Sequence, residues 1–176
     1  MQLKSLEGCR LTIGKYPPFN YNAYGGGGQA KLVENHKNNL LYIRFSSKTF
    51  SIPSLTSKTT RFLSLPLPRG LKIKMSMDKL EGTINRSTGE VLLRFESKFL
   101  LSIGAMLKFP DLIVKTSLET GKVKGIIHEA EGVVLQNNGT TKLVGISIIP
   151  KTGNKILDTF LGLPNEAIAE LNCEIK

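Results

Sequence analysis

The chain of 176 residues has no tryptophan, two cysteines and two histidines. Cys9 and Cys173 are too few for the disulfide framework of a small secreted scaffold, and they read as small buried thiols. His36 and His128 lack any partner at metal-ligand spacing, so neither a metal nor a cofactor is expected. No apolar run approaches the roughly 20 residues that a membrane-spanning helix needs. The stretch from Met1 to Cys9 has a lysine but no continuous apolar segment, unlike a secretory leader, and a cytoplasmic location is expected. Acids are also scarce, 14 against 24 Lys and Arg, for a net charge of +10.

That charge is uneven. Residues 31–86 hold eleven Lys or Arg against three acids, whereas residues 87–176 hold ten of each. A basic segment attracts an anionic membrane surface, an acidic protein or nucleic acid, and Arg61, Arg69, Lys72 and Lys74 are the candidate contacts. The plainer reading is a set of solvated lysines on outer strand faces, where they guard sheet edges.

What the chain does have is alternation. Leu71, Ile73, Met75 and Met77 alternate with Lys72, Lys74, Ser76 and Asp78, and Val91, Leu93, Phe95, Phe99 and Leu101 share one side of a second run. Successive strand side chains point to opposite faces, so each run is a half-buried strand with its apolar row inward. Residues 3–13 read as a first strand and Leu40 to Ile52 as another. The passage 46–60, nine of fifteen residues Ser or Thr and interrupted by Pro53, reads as irregular or edge structure. Residues 15–30, with paired prolines, three tyrosines and the run Gly25 to Gly28, are expected to form a long exposed loop.

Turn residues at 87–89, 119–121 and 137–139 predict three hairpins: 80–86 with 90–101, 111–118 with 122–128, and 130–136 with 141–149. Glu81-Gly82 through Leu93 also lines up with Glu131-Gly132 through Leu143 at an offset of fifty residues. One helix is predicted, capped by Asn154 and stopped by Gly162, before a closing strand in which Ala167, Ala169, Leu171, Cys173 and Ile175 share a side, with a helix over Glu166 to Asn172 as the competing reading. The sum is a single, mainly β domain over 1–176, an antiparallel barrel or sandwich of about ten strands with one short helix near the C-terminus.

No catalytic constellation accompanies this pattern. The four glycines lack the Gly-Lys-Ser/Thr ending and following helix of a phosphate loop. His128 lies beside Glu129, but adjacent strand residues face opposite ways, and Glu81 and Glu131 read as solvated strand ends. The protein is therefore expected not to be an enzyme.

One resemblance bears on function. The passage from Lys108-Phe-Pro-Asp to Ser117, a Gly-turn hairpin, Thr141-Lys-Leu-Val-Gly145-Ile-Ser-Ile and the alternating tail resemble the closing half of the YceI-like lipid-binding barrels. The chain departs from that family in having Pro150-Lys-Thr-Gly153 and a helix in place of the His-Gly-Val/Thr-Lys turn. The resemblance implies an antiparallel barrel holding a polyisoprenoid chain. A lipid-like ligand would lie against the inward set Leu71, Ile73, Met75, Val91, Leu93, Phe95, Phe99, Leu112 and Val114, with Arg61, Arg69, Lys72 and Lys74 meeting a headgroup or an anionic surface. The alternatives are a solid core of the same residues, and an interaction module for nucleic acid or an acidic partner.

Overall fold

A computed structural model describes residues 1–36 and 39–176. Its strands are β1 (Gln2–Ser5), β2 (Cys9–Ile13), β3 (Phe19–Tyr21), β4 (Gly27–His36), β5 (Leu40–Phe45), β6 (Thr60–Phe62), β7 (Leu65–Pro66), β8 (Leu71–Asn85), β9 (Val91–Ile103), β10 (Leu107–Lys108), β11 (Leu112–Glu119), β12 (Lys122–Lys124), β13 (Glu129–Glu131), β14 (Thr140–Ile149) and β15 (Asn165–Ile175). Among the described residues the one α-helix is α1 (Lys155–Leu161). Eight strands close an antiparallel ring in the order β1, β4, β5, β8, β9, β11, β14, β15 and back to β1. The mainly β antiparallel class and the short C-terminal helix are as the sequence pattern indicates.

The long β15 is the hub. One edge pairs with β14 along its length; the other pairs with β1 near Ile175 and with β2 near Ala169. From β2 a side sheet continues through β3, β6 and β7. The expected single strand 3–13 is thus two strands. Gly8, at φ +75°, makes the bend between them.

β8 differs from expectation in the opposite sense. The Leu71 run and the 80–86 run form one continuous strand, with a register shift between Met77 and Lys79. The shift switches the inward set from Met75 and Met77 to Leu80 and Ile84, which an alternation pattern reads as two strands.

The glycine run is only half loop, Gly25 and Gly26 lying in the turn before β4. Tyr21 and Ala23 are buried, and Gly27 and Gly28 belong to β4, where they pair with Lys4 and Leu3. A Cβ at Gly27 would lie 2.0 Å from the Leu3 carbonyl oxygen, so the run lets the backbones meet where the ring closes. Two other expected hairpins are absent. β11 is flanked by β9 and β14, while β12 pairs with β13, and 133–142 contributes only an isolated bridge. The likeness between 81–93 and 131–143 therefore does not carry into the fold: Glu81-Gly82 lies inside β8, and Gly132 follows β13.

Two apolar clusters fill the molecule. The first, inside the ring, includes Leu3, Ile43, Ile84, Leu93 and Leu143, each at most 1% exposed. The second, between β8 and the side sheet, gathers Cys9, Tyr21, Ala23, Leu55, Leu67 and Met75.

Candidate functional site

Register places the connections at two opposite ends. At the end of the 85–90 turn, Ile84 pairs with Val91, and both are buried. At the other, Leu71 pairs with Ile103, Leu112 with Phe99, Ile149 with Asn165 and Ala167 with Ile13. This second end carries α1 and the connections 14–18, 104–106 and 109–111. Its inner face is not sealed. Leu71, Ile73, Phe99, Leu101, Leu112 and Val114 are half-buried.

The nine residues expected to face a ligand share the inner face by register but not one environment. Val91 and Leu93 belong to the first cluster, and Phe95 packs against it. Met75 belongs to the second, against which Leu71, Ile73 and Phe99 pack. Leu112 and Val114 belong to neither. On the inner face of β14 and β15, Ser147, its partner Ala167 and Ala169 carry small side chains beside the buried Ile149.

The wall is loosest beside Val114. β11 and β14 share the ladder pair Glu119 with Val144. A Cβ on Gly145 would sit 2.5 Å from the Ser117 carbonyl oxygen, so the two backbones are close there. Beyond it, hydroxyls stitch the seam: Thr116 Oγ1 donates to the Ile146 carbonyl (2.7 Å) and Ser147 Oγ to that of Lys115 (2.8 Å). The sequence reading missed both residues. A Thr and a Ser on an inner face are the only signal it carried.

Helix α1 stands over the same end. The Asn154 side chain accepts from Leu157 N–H and Gly162, at φ 64°, stops the helix, as expected from the two residue types. Leu157 is its buried anchor, and Ile156 and Phe160 face outward. Tyr16, in the β2–β3 connection, packs against the Phe160 ring and donates its hydroxyl hydrogen to the Phe160 carbonyl.

The basic residues divide into paired and unpaired groups. On the outer wall Glu81 accepts from Arg44 (2.5 Å) and meets Lys79 (2.8 Å). Glu96 likewise meets Arg94 (2.9 Å) and Lys115 (3.7 Å). Glu81 is a buried mid-strand group, not a solvated strand end. Bonding to Lys79, set against the opposing effect of burial, and then to Arg44 holds its carboxyl down at about 2. Arg61, Arg69, Lys72 and Lys74 are exposed and have no ion pair among the described residues.

A second buried carboxylate was invisible in the sequence. Glu166 lies on the outer face of β15, opposite in phase to Leu171 and Cys173, and is 4% exposed. It accepts from the N–H groups of Ile126 (2.6 Å), Ile127 (3.0 Å) and His128 (2.7 Å), anchoring the β12–β13 flap over the wall. Burial pushes its carboxyl up, but the three N–H donors and the adjacent His128 outweigh that, leaving it below the ordinary range. His128 thus joins Glu166, not Glu129 or Glu131, and Glu129 pairs with Lys122 (2.5 Å).

Burial raises the Cys173 thiol to about 12, so it behaves as a packing group, and both cysteines are free. Among the described residues, no group of three or more His, Cys, Asp or Glu is placed to hold a metal. The side chain of His36 lies outside the described residues. Two open depressions, of about 500 and 360 Å³, lie elsewhere, one on the polar turns 86–89 and 134–138, the other beside Glu7, Val133 and Asn172. Among the described residues no helix is long and apolar enough to cross a membrane. No family model, curated protein or solved structure matches the chain.

Proposed function

We propose that the protein is a non-enzymatic β-barrel that holds a lipid-like apolar molecule at its unsealed end, against the inner face of β9 and β11. The observation that carries this reading is the change in burial along one face of β9 and β11: Leu93 is wholly buried, whereas Phe99, Leu101, Leu112 and Val114 are half-buried. An acyl or isoprenoid chain laid along that row gains about 0.8 kcal/mol for each methylene removed from water, with no directed polar group required. The seam stitched by Thr116 and Ser147 is the natural place for the wall to part. The free thiols suit a cytoplasmic setting.

The test is native mass spectrometry of the purified protein, with solvent extraction, and titration with a fluorescent acyl probe. Uptake of the probe, weakened at least about tenfold by Val114→Trp, is expected from loss of several buried methylenes. Absence of both retained ligand and probe binding contradicts the reading.

A further inference from the structure

The unsealed end has an outer surface as well as an interior. We infer that this surface docks on an anionic lipid bilayer, with the 104–106 tip and the exposed face of α1 entering the headgroup layer. This inference does not rest on the ligand reading, because it uses only groups that point away from the barrel.

The tip is a tight hairpin, Ile103 pairing with Leu107, so that Met106 projects beyond the wall and is 96% exposed. On the same end, by register, stand Ile156 (75% exposed) and Phe160 (62%) on α1, and Leu63 (64%) and Leu65 (69%) around the β6–β7 turn. Isolated exposed aliphatics are ordinary on any protein, but several on the successive connections of one end mark an interaction surface.

The charge around them is mostly positive. Lys15, Arg69, Lys108, Lys151 and Lys155 lie in these connections, against Asp111 and Asp158. Asp158 is already occupied, accepting from the Thr152 N–H (2.8 Å), the Thr152 hydroxyl (2.6 Å) and the Gly153 N–H (3.1 Å). The neighbouring strand residues Arg61 and Lys72 add unpaired positive charge. The opposite end is different: its 85–90 turn holds Arg86 and Glu90, and 132–139 holds no charged residue.

This combination selects a bilayer. A protein partner needs a continuous complementary face, whereas the apolar groups here sit on separate projecting connections. Single-stranded nucleic acid offers bases that stack on aromatic rings, but Met106 and Ile156, 96% and 75% exposed at this end, carry no ring. A headgroup layer accepts separate aliphatic tips individually, while anionic lipids attract the surrounding lysines and arginines.

The experiment is co-sedimentation of the full chain with vesicles of phosphatidylcholine alone and of phosphatidylcholine with about 30% phosphatidylserine. Binding to the mixed vesicles is expected, with weak or no binding to the neutral ones. Met106→Glu should lower the apparent affinity about tenfold, and Lys108→Glu about fivefold or more. Arg86→Glu, in the 85–90 turn at the opposite end, should leave it unchanged. Circular dichroism confirms that each variant is folded; Met106 makes no buried contact to lose. Failure to bind mixed vesicles overturns the inference. So does binding that Met106→Glu leaves intact, or tighter binding to duplex DNA than to vesicles with the same variants affected. A protein that sediments with vesicles yet takes up no acyl probe would retain the docking surface and refute the ligand site; uptake without sedimentation would do the reverse.

Discussion

The two ends of the barrel share strands β8 and β9 but treat the same alternation differently. Near the 85–90 turn, Ile84, Val91 and Leu93 meet residues from β5, β11, β14 and β15, and the turn above them is satisfied locally. Asn85 Oδ1 accepts from Ser87 N–H (2.9 Å) and Thr88 N–H (3.2 Å), and the Asn39 side chain donates to the Ser87 hydroxyl (3.0 Å). Near the 104–106 tip the apolar row resumes after Ser97 with Phe99 and Leu101. These are only half-buried, and the connections above them carry exposed Met, Leu, Ile and Lys. An apolar row in a strand therefore marks the inside of a wall. How tightly that inside is closed depends on what packs against it from the other strands.

The sharpest way to break this comparison is to cut the same kind of group from both ends. Leu93→Ala, in the sealed cluster, should cost about 3 kcal/mol of unfolding free energy in chemical denaturation, and Val114→Ala less than about 1 kcal/mol. Equal losses would mean that both ends are packed alike.

The flap adds a second contrast, because it is fixed by one carboxylate and not by an apolar row. Glu166→Ala leaves three N–H groups without their acceptor and should cost about 2 kcal/mol, with faster amide exchange at Ile126, Ile127 and His128. Its carboxyl is lowered in the folded state, so its contribution is full above the ordinary carboxylate range and is lost as pH falls through the folded value. Exchange at these three amides that is indifferent to acid would remove Glu166 from this role.

Glu81→Gln should cost about 1 kcal/mol, since the Arg44 and Lys79 left behind can reach water. The folded value near 2 lies below the ordinary 4.5, so wild-type stability should decline as pH falls from 4.5 towards 2, and the variant should decline less. Parallel pH profiles would contradict the pairing. The smallest effect belongs to the seam: Thr116→Val should cost about 1 kcal/mol or less and speed exchange at Ser117 and Leu118 more than at Leu92 and Leu93.

The fold was largely visible in the sequence because a strand's period of two is local: Leu71 to Leu101 declares its inner row without reference to anything else. Asn154 and Gly162 declare the helix ends for the same reason. Features set by distant partners were hidden. The Met77 bulge looks like a break between strands. Gly27 looks like a loop residue because the crowding that requires it comes from Leu3. Glu166 reads as one more solvent-facing strand acid because its donors lie about forty positions earlier in the chain. The surplus of charge in 31–86 could be counted, but its division into a paired set around Glu81 and an unpaired set of Arg61, Arg69, Lys72 and Lys74 is a property of register. For the proposed ligand row the sequence supplied the shared face, and the split between its sealed and half-buried members needed the opposite wall.

The most direct test of the contrast between the ends is hydrogen–deuterium exchange of the whole protein with and without phosphatidylserine-containing vesicles. The account predicts that vesicles protect segments 63–70, 104–111 and 150–164 and leave 85–90 and 132–139 unchanged. Protection at 85–90 and 132–139, or protection spread evenly around the wall, would contradict it.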